Sequence, residues 1–317
     1  MRQAPENLAA RRYFVKHRTS YLYSDPVTLC HERGFLTPRQ APSQTVLAHG
    51  TRVTPEPLLE SVHTDRFGNI SHYLEIHYPH TQLEVVKEAI VDVAWPEIHT
   101  DQLDQWTLGS AQRAIAGNAA LRLDRAMYGL PSRYVDAPGG LDAYADTILA
   151  PNLGFGQALV ELTRGIHRDF AYRPGVTSVR TTVGELLDLR AGVCQDFTHL
   201  GLAILRSLGI PARYVSGYIE TRPAPGKQKL EGSDASHAWI SALAPNGAWI
   251  DVDPTNAQFA DSRYIVTAWG RDFADVSPLR GVVVTEAASS RMSVGVDVLP
   301  MVGDDAPPIS VLGLSLS

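Results

Sequence analysis

The chain has 317 residues, 44% of them hydrophobic and 20% charged, with a formal net charge of −6. That length allows about two ordinary domains, each with a core of its own. The acidic balance, without any long basic run, speaks against a nucleic-acid footprint and gives no reason to expect a membrane surface as partner. The two cysteines, Cys30 and Cys194, cannot build a disulfide framework, and such sparing use suits a reducing compartment. The N-terminus MRQAPENLAARRYF lacks an apolar leader core, and no apolar run is long enough for a bilayer. A cytoplasmic protein is the expectation.

Residues 13 to 95 read as antiparallel β-structure. In YFVKHRTSYLY, aromatic and β-branched residues recur with a period of two. HYLEIHYP alternates His72, Leu74, Ile76 and Tyr78 with polar neighbours, and TQLEVVKEAIVDVAW continues the strand pattern. Between such runs, DRFGN (Asp65 to Asn69) is a turn signal. The histidines of this region (His17, His31, His49, His63, His72, His77 and His80) are scattered, and no pair has a recognisable zinc spacing. They are expected on solvated strand faces. Residues 96 to 140 are mixed, with an alanine-rich helical piece and then YGLPSRYVDAPGG, whose prolines and glycines suit a linker. The expected organisation is a β-rich domain over 1–105, a helical linker region over 106–140 and a second domain over 141–317.

LDAYADTIL and GQALVELTRGIHRDF carry apolar residues at spacings of three and four, as amphipathic helices do. Thr182 stands three residues before Glu185, a capping box for the short helix VGELLDL. A further helix opens at Cys194. From Ala212 the pattern turns to strands: ARYVSGYIE, HAWISAL and AWIDVD, then a last alternating run, SVGVDVL, and a Pro-rich tail expected to be loose. Helices followed by strands define an α+β domain.

Cys194 sits in the first turn of its helix, where free backbone N–H groups and the positive dipole end favour a thiolate and can hold an oxyanion. The opposing reading, a small buried hydrophobe, is the commoner fate of a lone cysteine, and Cys30, on a strand, is read that way. Gly192 permits a tight approach into the helix. His199 lies about 140° around the helix from Cys194 and so cannot serve as its base. The strands supply one instead. Pro245-Asn246-Gly247 makes a three-residue hairpin loop that pairs Ala244 with Ala248. Trp239 then faces Asp253, and His237 is the diagonal neighbour of Asp253 on one face, about 7–8 Å away at the backbone. Asp251 is the second choice as orienter. Nucleophile, base and orienter can thus be assembled from Cys194, His237 and Asp253. Trp239 and Trp249 either screen the pair from water or belong to the core.

AGVCQDFTHLGLAILRSLGIPARYVSGYI, SHAWISA and WIDVDPTN, in that order, resemble the core of the transglutaminase-like superfamily. FAYRPGVTSVRTTVGELL and the N-terminal YFVKHRTSYLYSDPV resemble its bacterial branch, in which a β-rich domain precedes the core. The resemblance implies a papain-like core with a Cys-bearing helix packed on an antiparallel sheet, and a Cys194–His237–Asp253 triad acting on peptide or side-chain amides through a thioester. Hydrolysis by a cysteine protease or amidase is slightly favoured, with transglutaminase cross-linking or a silent peptide-binding module as the alternatives. Gln195, Tyr172 and Trp239 are candidates to line the cleft or help hold the oxyanion. A metal bound by Cys194, His237 and Asp253 explains less than the papain-like logic. No cofactor is expected, and the partner is a peptide or protein substrate.

Overall fold

The computed structural model describes residues 3–150, 152–221 and 235–301, with the backbone of 315 and 316. A short helix α1 (Pro5–Leu8) leads into five strands: β1 (Arg11–Gly34), β2 (Gln44–Thr54), β3 (Leu59–Thr64), β4 (Ile70–Ile76) and β5 (His80–Val93). They form a curled antiparallel sheet in the order β2-β5-β1-β4-β3. The long β1 pairs with β5 along its first half and with β4 along its second. The register breaks between Leu22 and Val27, where Pro26 has no N–H to give the ladder. The DRFGN turn is locked by Asp65, whose Oδ1 accepts the N–H groups of Phe67 and Asn69 at 2.8 Å.

Three helices follow, α2 (Thr100–Leu103), α3 (Leu108–Gly117) and α4 (Arg122–Tyr128). The second domain contains α5 (Leu141–Ile148), α6 (Phe155–Asp169), β6 (Ala171–Tyr172), α7 (Val183–Leu189), β7 (Ala191–Gly192) and α8 (Cys194–Ser207), then strands β8 (Ala212–Ile219), β9 (Ala235–Leu243), β10 (Trp249–Asp253), β11 (Gln258–Phe259) and β12 (Tyr264–Gly270), and a last turn of helix α9 (Phe273–Val276). The strands form one antiparallel sheet in the order β11-β10-β9-β8-β12. Helix α6 buries Phe155, Leu159, Leu162 and Ile166, one stripe at helical spacing. Helix α8 is buried all round from Asp196 to Arg206, as a central core helix must be. Gly201 lets it close on the sheet, since a Cβ there would stand 2.3 Å from Ile240 Cδ1. The helical region 106–140 is packed into the core. Leu108, Ile115, Leu121 and Val135 pack into the same core as α6 and α8, because an amphipathic helix must bury its apolar stripe somewhere.

The C-terminal run, read from sequence with the second domain, joins the first one. β13 (Leu279–Thr285) and β14 (Ser290–Met301) pair with β1, so that β1 is flanked on both sides along its length. Unpaired edge groups on a strand this long would be a liability, and a returning strand removes it. β15 (Ser315–Leu316) pairs with β2. The rest of the Pro-rich tail lies outside the described residues. The histidines of the first sheet divide by face. His17, His72 and His80 are buried, against the sequence expectation, while His31 and His77 lie on the outer side.

The two sheets are joined by specific polar contacts. The Gln44 carboxamide pairs with the backbone of Val266 in both directions, at 2.7 and 2.8 Å, and Asn69 does the same with Trp269 at 2.8 and 3.0 Å. The Arg39 and Arg213 guanidinium carbons stand 3.3 and 3.7 Å from the Trp269 ring centre, within cation–π range. Among the described residues no helix is long and apolar enough to cross a membrane.

Candidate active site

Three neighbouring elements position Cys194. Thr182 and Glu185 close the capping box of α7 in both directions, at 3.2 Å and 2.8 Å. Arg190 ends that helix in the left-handed conformation, with φ of 52°. The chain then runs straight into β7, held in parallel to β6 by Ala171 N–H on Arg190 O and Arg173 N–H on Gly192 O, each 2.9 Å. Inside the first turn of α8, the buried Asp196 carboxylate reaches back to accept the Val193 N–H at 2.8 Å and the Thr177 hydroxyl at 2.7 Å. Gly192 is needed here because a Cβ would stand 2.7 Å from Asp196 Oδ2. The half-buried Cys194 is thus fixed at a clamped helix start, with the second cysteine, Cys30, buried far away in the first sheet.

His237 and Asp253 come from β9 and β10, whose register runs from Leu243–Trp249 to Ile240–Val252. The hairpin loop holds Ala244 N–H on Ala248 O at 2.8 Å, with Gly247 at φ 86°. His237 Nε2 meets Asp253 Oδ2 at 2.7 Å, with both side chains out of solvent. Cys194 stands near enough to His237 to add to the stabilisation of its charged form. Burial works against a charged imidazole, but the Asp253 charge and hydrogen bond, helped by Cys194, outweigh it and push His237 up to about 10. Asp253, for its part, is held below the ordinary carboxylate range. Burial would raise it, and His237, Tyr264 and Asn256 together overcome that.

The structure brings His237 and Asp253 into contact, with Cys194 near the imidazole. Asp251 is occupied: it accepts the Trp239 indole N–H at 2.9 Å and the Ser241 hydroxyl at 3.0 Å. Trp239 is fully buried, stacked 6.2 Å from the His237 ring, so it backs the imidazole. Gln195 sits one position past the thiol and its amide reaches Val179 O at 3.4 Å. Tyr172 is exposed, 6.3 Å from the Phe197 ring, its phenol pushed up by partial burial and then by the neighbouring Cys194. His199 is buried between Tyr134 and Tyr214 and pushed down to about 4 by that burial, a neutral core imidazole. A cleft of about 490 Å³ is lined by Ser236, the residue before His237, with Val179, Arg180, Tyr134 and Phe273, and by His17 and Thr19 of β1; Cys194, His237 and Asp253 are not in its lining.

The family described as the transglutaminase-like superfamily matches residues 142–254, and the bacterial transglutaminase-like N-terminal region matches 13–92. The uncharacterized protein Rv2569c of Mycobacterium tuberculosis is 42% identical over 301 residues, covering 92% of this chain and 94% of that one. The chain belongs to the transglutaminase-like superfamily. The protein-glutamine gamma-glutamyltransferase of Pseudomonas aeruginosa is 35% identical over 143 residues, 39% of this chain and 20% of that one. A Cytophaga hutchinsonii crystal structure, described as that of a candidate cysteine protease, superposes with a TM-score of 0.73 at 21% identity, over 94% of this chain and 93% of that one. That likeness establishes the fold, a papain-like core behind a curled antiparallel sheet.

Two residues that support Asp253 were not among the sequence candidates. Tyr264, on β12, donates its hydroxyl to Asp253 Oδ2 at 2.7 Å. Asn256 gives its amide to the same oxygen at 2.7 Å, and its backbone N–H joins that of Thr255 on Oδ1. The second signal was present in DPTN, since an aspartate whose side chain accepts N–H groups two and three positions on is an Asx turn. Tyr264 carried no local signal, because its strand reaches the site only by crossing to β8.

Proposed function

We propose that this protein is a cysteine enzyme acting on amides, with Cys194 as nucleophile, His237 as acid and base, and Asp253 as orienter. The observation that carries this reading is the buried His237–Asp253 pair, 2.7 Å apart, with Cys194 close enough to favour the charged imidazole. The thiolate of Cys194 attacks the carbonyl carbon of a peptide or side-chain amide. His237 gives its proton to the leaving nitrogen, the C–N bond breaks, and a thioester forms. Water, losing a proton to His237, then attacks the thioester carbon, and the S–C bond breaks to release a carboxylic acid. Backbone N–H groups at the start of α8 are the candidate oxyanion donors.

Hydrolysis is the favoured second half-reaction, since water needs no dedicated pocket. Acyl transfer to an amine is the alternative. It is favoured by the stretch shared with the Pseudomonas protein-glutamine gamma-glutamyltransferase. Mass spectrometry of glutamine-bearing peptides, with and without a primary amine, separates cleavage, deamidation and cross-linking. Cys194→Ala is expected to abolish whichever product appears. Turnover that survives Cys194→Ala would overturn the mechanism.

A further inference from the structure

We propose that the outer face of the first domain carries a divalent metal site of the Zn²⁺ class, built by His31, Glu75 and His77. The three come from paired strands. His31 on β1 stands directly opposite Glu75 on β4. His77 follows β4 with the two-residue period that turns it to the same face as Glu75. One donor atom from each lies within 4.8 Å of the others. His31 Nδ1 is 3.4 Å from Glu75 Oε1, and His77 Nε2 is 3.3 Å from Glu75 Oε2. Donors bound tetrahedrally at about 2.0–2.1 Å stand about 3.3–3.4 Å from one another, and each imidazole nitrogen already lies that far from one Glu75 oxygen, His31 from Oε1 and His77 from Oε2.

Two imidazoles and a carboxylate are a donor set for Zn²⁺ or a neighbouring transition-metal dication rather than for Ca²⁺, which takes oxygen ligands. Side-chain exposures of 33% for His31, 21% for Glu75 and 42% for His77 leave one side open, where water completes the coordination. A supporting partner is in place. The Tyr73 hydroxyl, one period before Glu75 on β4, donates to Glu75 Oε1 at 2.6 Å and meets His31 Nδ1 at 2.8 Å. An ion bound through His31 Nδ1 displaces the hydroxyl from that nitrogen and leaves it on Glu75 as an outer partner. Sequence spacing hides such a site, because His31 and His77 meet only through the pairing of β1 with β4.

The test is calorimetric titration of the full chain with Zn²⁺ in a Cys194→Ala background, where the thiol and imidazole of the proposed active site cannot capture the ion together. This keeps the result independent of the enzymatic reading. One Zn²⁺ is expected per chain, with Ca²⁺ giving no competing heat. His31→Ala, His77→Ala and Glu75→Gln should each weaken binding beyond the tenfold-to-hundredfold loss of a mere outer partner, about 10–100-fold. His63→Ala, at an exposed histidine of β3, should leave it unchanged. Co²⁺ substituted into the site should give a visible band that shifts when His77 is replaced. The proposal falls if the Cys194→Ala protein takes up no Zn²⁺, or if the His31→Ala/His77→Ala double variant binds as tightly as its parent.

Discussion

Asp253→Asn removes the charge that keeps His237 protonated, and its effect on stability should depend on pH in a defined direction. His237 is raised from an ordinary 6.5 to about 10 because Asp253 outweighs the burial that would lower it. The folded protein therefore keeps a proton that the unfolded chain loses near pH 6.5. The stabilisation is complete below that value and is lost as pH climbs through about 10. At about 1.4 kcal/mol per unit, the linked energy is at most about 5 kcal/mol, which agrees with the about 3–5 kcal/mol cost of removing one member of a buried pair. Other groups titrate in the same window. Lys87, pushed down to about 7 by burial, makes stability rise with pH, the opposite slope. Comparing wild type with Asp253→Asn cancels such terms. Urea unfolding at pH 6.5, 8 and 9.5 should show a gap of about 3–5 kcal/mol at the lowest pH that narrows steadily toward the highest. A gap that is constant, or that widens with pH, would refute the charged-pair account.

The two cysteines should differ sharply toward iodoacetamide at pH 7.5. Burial pushes the Cys30 thiol up to about 12, with the nearby Glu32 acting the same way, so peptide mapping should find the label on Cys194 alone; comparable labelling of Cys30 would contradict its burial. Gly217→Ala should harm both stability and turnover, since a Cβ there would stand 2.1 Å from Ile265 O and 2.6 Å from the Trp239 ring, directly across from His237. We expect a loss of about 1–3 kcal/mol by urea unfolding, and an unchanged midpoint would show that the strands can part without cost. Lys87→Met, at a buried ammonium contacted by Thr51 and His49, should raise stability at pH 6, where the burial penalty is fully present, and gain progressively less as pH rises from 7 to 10. A destabilised variant at pH 6 would mean that those two contacts outweigh the penalty.

What the sequence determined by itself was local or carried by one turn. The Thr182–Glu185 cap, the helix opening at Cys194 and the DRFGN turn each depend on a few adjacent residues. The Pro245-Asn246-Gly247 loop set the β9–β10 register, and a fixed register places His237 diagonal to Asp253 without further information. Tertiary structure alone decided the rest. The pairing of β13 and β14 with β1 could not be read, because an alternating strand does not say which edge it will cover. Nor could the burial of 106–140 against α6 and α8, since prolines and glycines mark a break in periodicity and not the absence of packing. The same holds for Tyr264 on Asp253 and for His31 beside Glu75 and His77. A hydrogen bond or a ligand set acts over about 3 Å, and only the crossing of distant strands brings such residues within that range.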